Sequence, residues 1–315
     1  MFEPSNIAPL PTAPAALPPP PSASTLPRAG DAEFAMTRTD FEQVRRIIHR
    51  HAGIALAEGK EAMVYGRLSR RLRESGHATF AGYLQHLERT VAGGGAAAEA
   101  EMQLFVNCLT TNLTSFFREE HHFAALAEDL RARAAHAAAG AATGAGNGLR
   151  LWCSAASTGE EPYTLAMTVV ESLGAGARVE IVASDIDTQV LATAQRGVYA
   201  ADSRGLSAER LRRHFQRGTG PNEGRIRVRA ELARLVRFMP FNLVNGDWPR
   251  LGQPFDIIFC RNVMIYFDMA TQRQVLSRMH AALKPGGLLY VGHSENFTEA
   301  RELFRLRGKT IYERV

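Results

Sequence analysis

The sequence has few cysteines and no long apolar run. Only three of its 315 residues are cysteine, Cys108, Cys153 and Cys260, an odd number without the spacing of a zinc site. A disulfide framework is therefore not expected, and we interpret all three as buried free thiols in a reducing cytoplasm. No apolar stretch reaches the roughly 18 residues that a membrane-spanning helix needs. These absences predict a cytoplasmic chain that does not insert into a membrane.

Acidic residues are outnumbered by basic ones. The chain carries 37 Lys and Arg against 32 Asp and Glu, a net charge of +5, and 45% of its residues are hydrophobic. This composition is typical of a globular protein, the length allows two domains, and the basic balance favours acidic partners without identifying them. Residues 1–36 are rich in Pro and Ala and lack the pattern of a signal peptide, so we predict a disordered tail there.

Residues 37–139 are predicted to form a helical N-terminal domain. Apolar residues at spacings of three and four predict its first helix, which should extend to about Ala52. The expected cap of this helix is Thr39 or Asp40. Three more helices are expected, over about 59–75, from Phe80, and from about 99 after a flexible loop at 92–98.

The second of these helices carries four arginines with few acids nearby: Arg67, Arg70, Arg71 and Arg73. A solvated face is the usual explanation of such a helix. This cluster looks almost unopposed, however, and arginine forms paired hydrogen bonds to carboxylates and to phosphates. It therefore favours an acidic partner.

The segment Leu109–His122, LTTNLTSFFREEHH, mixes hydroxyl groups with paired aromatics. Thr114 or the serine after it could cap a helix that continues to about Ala139, but the segment holds more polar groups than a cap or a core requires. A binding role is the alternative. His121 and His122 have no evident set of metal partners, so no metal site is predicted.

The stretch Leu149–Met167, LRLWCSAASTGEEPYTLAM, predicts a strand, a turn of small residues at Gly159 and a helix. Glu160, Glu161 and Pro162 suit the first turn of a helix, since proline has no N–H to lose there and carboxylates match the positive end of the dipole. A single glycine does not make a dinucleotide fingerprint. A cationic ligand without a pyrophosphate, such as S-adenosylmethionine (SAM), fits this unit, and an ordinary strand-to-helix turn is the alternative.

A second strand, 178–184, runs into two acids, Asp185 and Asp187. An acid at the tip of the second strand of a doubly wound sheet is placed to bind ribose hydroxyls. Asp185 is nearer the strand end, whereas Asp187 could instead cap the helix that follows.

Residues 206–238 interrupt the alternation of strand and helix. A turn, GTGPNEG, is followed by RIRVR and then by LVRF, which predicts a small inserted antiparallel hairpin. Its outward residues would be Arg225, Arg227 and Arg229. An exposed edge strand can accept an added peptide strand, and a charged edge that discourages aggregation is the alternative.

The apolar run Phe255–Cys260 is suited to a central parallel strand. It would deliver Arg261, Asn262 and Tyr266 to the carboxyl edge of the sheet, where ligands bind in open α/β folds. Two short segments near the C-terminus are expected to close the sheet as an antiparallel pair: 304–306 and 310–312.

Five motifs, in order along the chain, resemble those of the chemotaxis receptor methyltransferases, the CheR family: TTNLTSFFRE, WCSAASTGEEPYT, ASDID, FCRNVMIYFD and LKPGGLLYVGHSENF. The resemblance runs from about residue 39 to the C-terminus. It implies an all-α N-terminal domain followed, over 140–315, by a SAM-dependent methyltransferase domain with a Rossmann-like α/β sheet and a β-subdomain at about 206–238. The implied reaction methylates receptor glutamates and gives glutamyl methyl esters and S-adenosylhomocysteine (SAH).

The resemblance also implies which residues act. The implied cofactor contacts are Asn112, Thr114, Arg118, Glu160 or Glu161, Asp185, Asn242, Leu243, Arg261 and Asn262. The implied contacts to the receptor's methylated helices are Arg67, Arg70, Arg71 and Arg73. In some relatives the β-subdomain also docks a peptide from the receptor's C-terminus.

A glutamate carboxylate, with a reference pKa near ~4.3, is already a nucleophile at neutral pH and needs no general base. We therefore hypothesise that Arg118 and Tyr266 are catalytic by orienting the carboxylate and the methyl donor. Two other classes compete with this interpretation: an RNA methyltransferase, for which a motif such as D/N-P-P-Y is missing, and a SAM-binding adaptor without catalysis. We predict a monomer with no nucleic-acid partner.

Overall fold

The computed structural model describes residues 33–138, 148–297 and 301–315. Five helices form the first part of the described chain: α1 (Arg38–Ala52), α2 (Glu61–Ser75), α3 (Phe80–Gly93), α4 (Gly95–Leu109) and α5 (Glu120–Ala138). The first four share one apolar core, to which α1 contributes Phe41, Val44 and Ile48 at the spacing of a single helix face. None of the described helices is both long and apolar enough to cross a membrane.

Several predicted boundaries in this part were wrong. The cap of α1 is Thr37, which forms a capping box with Asp40, and neither Thr39 nor Asp40 is the cap. The loop expected at 92–98 is a single residue, Gly94, with a φ of 66°. The helix expected to begin near Thr114 begins at Glu120 instead.

Two further predictions lie partly outside the described residues. A disordered tail was predicted for residues 1–36, of which the structure describes only 33–36. Within these four residues, Phe34 is buried and its ring centroid lies 6.4 Å from that of Phe80. A linker was predicted at 134–148. The helix α5 continues to Ala138, and the part of the predicted linker at 139–147 lies outside the described residues.

The second part is an α/β unit around a seven-stranded sheet. Its strands are β1 (Leu149–Cys153), β2 (Val179–Asp185), β6 (Val236–Pro240), β7 (Phe255–Cys260), β8 (Leu283–Val291), β9 (Phe304–Gly308) and β10 (Ile311–Arg314). The spatial order is β6-β2-β1-β7-β8-β10-β9. The first five in this order are parallel, and β10 pairs antiparallel with β8 and β9, as the sequence predicted for the last two strands. Its helices are α6 (Glu160–Leu173), α7 (Thr188–Arg196), α8 (Ala208–His214), α9 (Ala230–Ala233) and α10 (Met269–Ala282).

Both faces of this sheet are covered. In β1, Leu151 and Cys153 belong to one core and Trp152 belongs to the other, as the alternation of a strand requires. In β7, Phe259 and Cys260 divide in the same way, and every residue of that strand is buried. The strand is therefore central, as its continuous apolar run predicted.

The order of strands reverses between β1 and β7. From β1 the chain builds outward through β2 to β6 and then returns to place β7 on the other side of β1. In open α/β sheets such a switch point opens a crevice at the carboxyl ends of the strands. The helix α6 begins there, after Gly159 with a φ of 101°, where an added Cβ would lie 2.6 Å from the Tyr199 hydroxyl.

The small inserted sheet differs from the predicted hairpin. It has three antiparallel strands, β3 (Val198–Ala200), β4 (Phe215–Arg217) and β5 (Arg225–Val228), in the order β3-β5-β4. The LVRF segment instead joins the main sheet as β6 beside β2. The central strand is β5, so Arg225 and Arg227 do not lie on an open edge, and the edges belong to β3 and β4.

Candidate active site

A cavity of about 580 Å³ lies at the switch point, between the carboxyl edge of the sheet and the helical part of the chain. It is lined by most of the residues that the sequence singled out: Arg67, Asn112, Thr114, Arg118, Glu161, Asp185, Asn242, Leu243, Arg261, Asn262 and Tyr266. Glu160, Arg70, Arg71 and Arg73 are not part of its wall. The strand ends of β1, β2 and β7 and the segment after α4 therefore meet at one place.

Asp185 is the last residue of β2 and is almost fully buried at the cavity. Its two carboxylate oxygens accept backbone N–H groups, from Ser157 at 2.8 Å and from Asp187 at 3.0 Å. Burial raises the pKa of Asp185, and the two hydrogen bonds lower it. Burial has the larger effect, and the pKa is about 6. Each oxygen keeps a second lone pair, so the carboxylate can still accept hydroxyl donors.

Asp187 joins the helical part to the sheet. One of its oxygens caps α7, as its alternative interpretation predicted, by accepting the N–H of Gln189 at 2.9 Å. The other oxygen accepts the Thr110 hydroxyl at 2.6 Å and the Asn112 amide at 2.8 Å. The polar segment after α4 is therefore fixed over the end of β2, and this explains part of its excess of polar groups.

The two glutamates at the start of α6 lie in different surroundings. Glu161 lines the cavity and accepts a hydrogen bond from buried Arg261, with 2.7 Å between Oε2 and Nη1. Glu160 accepts the Thr158 hydroxyl at 2.6 Å, and burial raises its pKa. The cavity therefore contains the second glutamate of the pair.

Arg261 follows β7 directly and is held on two sides. Besides Glu161 it contacts Glu119, with 3.3 Å between Nη2 and Oε2, and it donates to the carbonyl of Arg118. Burial raises the pKa of Glu119, but the hydrogen bond from His293 and the charge of Arg261 outweigh it and bring that pKa to about 2. The Nδ1 atom of His293 lies 3.0 Å from Oε1 of Glu119.

Arg118 and Tyr266 line the same cavity although they come from different parts of the chain. Arg118 donates to the carbonyl of Leu113 at 2.9 Å. Its neighbours Phe117 and Glu119 have φ values of 52° and 58°, an uncommon conformation that tends to occur at functional sites. The backbone carbonyl of Tyr266 accepts the N–H of Ala55 at 2.7 Å, so the helical part also holds this residue in place.

Asn242 and Leu243 form the wall on the side of β6. The Asn242 side chain donates to the carbonyl of His51 at 2.7 Å and accepts the N–H of Val244 at 2.9 Å. Its amide is thus used to hold the loop against the helical part. Leu243 is buried and gives this wall an apolar surface.

Sequence reasoning missed Glu295, which holds the turn after β7. Its carboxylate accepts four backbone N–H groups at 2.7–2.9 Å, those of Asn262, Val263, Met264 and Gly292. Asn262 has a φ of 59°, and an added Cβ at Gly292 would lie 2.5 Å from its Nδ2 atom. In the sequence, Glu295 is only an acid shortly after the end of β8. An acid at that position does not by itself indicate that four backbone N–H groups converge on its carboxylate.

The arginines of α2 are not unopposed, and that expectation was wrong. Arg71 pairs with Glu101 of α4, Arg73 with Glu33 and Arg70 with Glu74. Arg67 donates to the carbonyls of Leu109 and Thr110 at 2.9 and 2.8 Å, and burial lowers its pKa. Glu74 lies on α2 itself, but Glu101 and Glu33 come from outside the helix, so their pairing with Arg71 and Arg73 could not be inferred from the sequence of α2 alone.

The sheet order, the small-residue turn into α6, the acid at the tip of β2 and the cavity beside them define the class of SAM-binding α/β methyltransferases. The residues present suit this cofactor, since acids line a cavity that would hold a cation and Leu243 offers an apolar wall. The chain belongs to the CheR methyltransferase family: the SAM-binding domain of that family matches residues 112–312 and its all-alpha domain matches residues 39–110. Its cofactor is SAM, and the predicted fold class is confirmed.

Named relatives agree over almost the whole chain. Chemotaxis protein methyltransferase 2 of Pseudomonas aeruginosa is 49% identical over 294 residues, which is 93% of this chain and 99% of that protein. The chemotaxis protein methyltransferases of Escherichia coli K12 and Klebsiella aerogenes are 48% and 50% identical, over 89% and 86% of this chain and 92% and 88% of theirs. The chain is therefore a SAM-dependent methyltransferase of chemotaxis.

Proposed function

We propose that this chain transfers the methyl group of SAM to glutamate side chains of chemotaxis receptors, giving glutamyl methyl esters and SAH. One observation carries the proposal: a single cavity combines acids of the α/β part with arginines of the helical part. Glu161 and Asp185 suit a cationic methyl donor, and Arg67 and Arg118 suit an anionic acceptor. A carboxylate acceptor fits this division of charge better than a neutral base or amine.

The cofactor is proposed to lie along the carboxyl edge of the sheet. In this arrangement Asp185 accepts the ribose hydroxyls, Glu161 rather than Glu160 receives the positive amino-acid end, and Leu243 packs on the adenine ring. The remaining proposed contacts come from the segment after α4 and from the loops that follow β6 and β7: Asn112, Thr114, Arg118, Asn242, Arg261 and Asn262.

The acceptor needs no general base. The glutamate oxygen attacks the methyl carbon in line with the sulfur, the S–C bond breaks, and its electron pair stays on sulfur to give neutral SAH. Because opposite charges cancel along this path, excluding water favours the transition state over the solvated reactants. Arg118 and Tyr266 are proposed to orient the carboxylate, with Arg118 binding it loosely enough to leave the attacking oxygen nucleophilic.

Two of the four arginines of α2 remain candidates for direct receptor contact. The side chains of Arg70 and Arg73 are 68% and 55% exposed, and exposed pairs of this kind contribute little and exchange partners easily. Arg67 would act at the cavity itself. Arg71, only 13% exposed and paired with Glu101, would instead support the helix.

The wider assignment follows from the same proposal. Residues 37–139 would form the receptor-facing domain, 140–315 the catalytic domain and 206–238 most of the β-subdomain, in a monomer acting in the cytoplasm without nucleic acid. A receptor C-terminal peptide would add to an edge of the inserted sheet at β4, which among the described strands pairs only with β5.

The test is to incubate the chain with tritiated SAM and receptor cytoplasmic fragments and then raise the pH. Glutamyl methyl esters hydrolyse in base and release volatile tritiated methanol, whereas methyl groups on nitrogen or on RNA remain bound. Release that depends on both the receptor and the enzyme is the expected result. Incorporation that is stable to base would overturn the glutamate assignment, and binding of SAM without any incorporation would indicate an adaptor.

A further inference from the structure

Three potential metal ligands lie together at the start of α5. Glu119, His121 and His122 each offer one ligand atom, and these atoms lie within 4.8 Å of one another. None of the three lines the 580 Å³ cavity. The sequence predicted no metal site because His121 and His122 had no evident partner, and the fold supplies one in Glu119.

The hydrogen bonds of His122 fix which of its nitrogens carries the proton. Its Nε2 atom lies 2.9 Å from the carbonyl of Lys309 and 3.1 Å from the hydroxyl of Thr310. A carbonyl only accepts, so Nε2 is the donor, and in the neutral ring Nδ1 carries the lone pair. A metal-binding histidine is held in this way, with its other N–H donated to a carbonyl.

The remaining nitrogen, Nδ1, is buried and has no hydrogen-bond partner among the residues that the structure describes. The Nδ1 atom of His122 lies 3.4 Å from Oε2 of Glu119, and the histidine is 0% exposed. Oε2 of Glu119 already accepts the N–H of His293 at 3.2 Å and lies 3.3 Å from Nη2 of Arg261, but no donor faces Nδ1 of His122 among the described residues. A cation between Nδ1 and Oε2 would satisfy that buried nitrogen. A proton in that place would draw the atoms to about 2.7–2.9 Å, the length of a charge-assisted hydrogen bond.

The separation of 3.4 Å matches a metal site better. Zinc binds histidine nitrogen and carboxylate oxygen at about 2.0–2.2 Å, so neighbouring ligand atoms of a tetrahedral site lie about 3.3–3.5 Å apart. The second histidine is adjacent, since the rings of His121 and His122 are 4.2 Å apart between centroids, and His121 is exposed.

We propose that Glu119, His121 and His122 bind a divalent transition-metal ion of the zinc type, with water completing the tetrahedron. Imidazole and carboxylate ligands suit such an ion. The Oε2 atom of Glu119 also contacts Arg261 at 3.3 Å, so the ion competes with Arg261 for this carboxylate. Metal binding therefore weakens the contact between Arg261 and Glu119, one of the two acidic partners of this arginine. Because Arg261 also lines the SAM cavity, metal binding weakens cofactor binding.

The test uses the full chain without a histidine tag and with Cys108→Ser, since Cys108 is the one thiol among the three cysteines that is not buried. Zn²⁺ is titrated by calorimetry, and Co²⁺ by its visible absorption. We expect one ion per chain, with affinity lowered by roughly 10-fold or more in His121→Ala, the size of effect seen when a ligand's support is removed. His121 is chosen because it is exposed, whereas substituting buried His122 risks unfolding the chain.

His136→Ala is the matched control, because His136 is an exposed histidine on the same helix and should leave the affinity unchanged. Absence of saturable Zn²⁺ binding, or binding that His121→Ala does not weaken, would overturn the site. Zn²⁺ should also lower the affinity for SAH in the Cys108→Ser chain but not after His121→Ala. An SAH affinity that is unchanged at saturating Zn²⁺ would overturn the coupling to Arg261.

Discussion

Arg261 and Glu161 form a buried ion pair across the carboxyl edge of the sheet, with 2.7 Å between Nη1 and Oε2 and the arginine side chain 1% exposed. The pair joins the residue after β7 to the first turn of α6. It places a carboxylate at the cavity and neutralises a buried guanidinium. Arg261 needs this partner, because its Nε atom has no hydrogen-bond acceptor within the described part of the chain.

The first prediction compares the two adjacent glutamates. Glu161→Gln removes the charge at the cavity and one partner of Arg261, so SAM should bind at least roughly 10-fold more weakly. Losing one partner of a buried ion pair should also cost about 3 kcal/mol of unfolding free energy, the low end of the usual range because Glu119 remains. Glu160→Gln is the control, and calorimetry with SAM together with urea unfolding measures both effects. If Glu160→Gln weakened SAM binding more than Glu161→Gln, the assignment of the two glutamates would be reversed.

The second prediction concerns pH. The folded pKa of Asp185, about 6, lies above the ordinary aspartate value, so the stability that this group contributes is full below about 3.9 and is lost as pH rises through 6. Ligand binding has the opposite sign, because ribose hydroxyls need the ionised carboxylate as acceptor. The affinity for SAH should therefore fall as pH is lowered from 7 to 5.5, and Asp185→Asn should bind weakly at every pH with a flatter profile. A profile equally steep in Asp185→Asn would assign the titration to another group.

The third prediction concerns Glu295. Glu295→Gln keeps the shape but loses acceptor capacity for four converging N–H groups, so the turn at Asn262 should loosen. We expect lower stability and a lower kcat, with SAM affinity falling less than kcat because Asp185 and Glu161 remain in place. Ser294→Ala, at the exposed neighbouring position, is the control. An unchanged kcat in a folded Glu295→Gln protein would show that this carboxylate supports the fold alone.

The sequence was sufficient for elements whose signals are local. The buried strand β7, the start of α6 at Glu160 and the acid at Asp185 were each predicted from a short pattern, because an apolar run, a helix dipole and a strand end are properties of neighbouring residues. The resemblance to a family then named further residues, most of which line one cavity.

What the sequence could not predict were partners far apart along the chain. Glu101 neutralises Arg71 from another helix, and Glu295 reaches back to Asn262 across the end of the sheet. The strand β6 was misplaced for the same reason, since whether LVRF pairs with β5 or with β2 depends on a crossover and not on its own residues. Each of these features depends on tertiary contacts, which local sequence patterns do not indicate.

The fourth prediction separates chemistry from cofactor binding. Arg118→Ala and Tyr266→Phe should each slow methyl transfer far more than they weaken SAM binding, because both are proposed to orient the acceptor. Single-turnover assays at saturating SAM measure the chemical step, and calorimetry measures binding. Equal losses in both measurements would remove these residues from the catalytic role.

The fifth prediction concerns the rim of the cavity. Leu113 and Ile265 both line it and are 79% and 50% exposed, so the rim presents two large apolar side chains to solvent beside the charged cavity. We expect them to contact apolar side chains that flank the methylated glutamate. Leu113→Ser and Ile265→Ser should therefore raise KM for the receptor several-fold and leave the affinity for SAM unchanged, because neither substitution removes a charge or a hydrogen-bonding side chain from the cavity. Leu306→Ser is the matched control, since Leu306 is 58% exposed but lies on β9, outside the cavity wall. The same rise in KM for Leu306→Ser would mean that general surface polarity, and not this rim, sets receptor affinity.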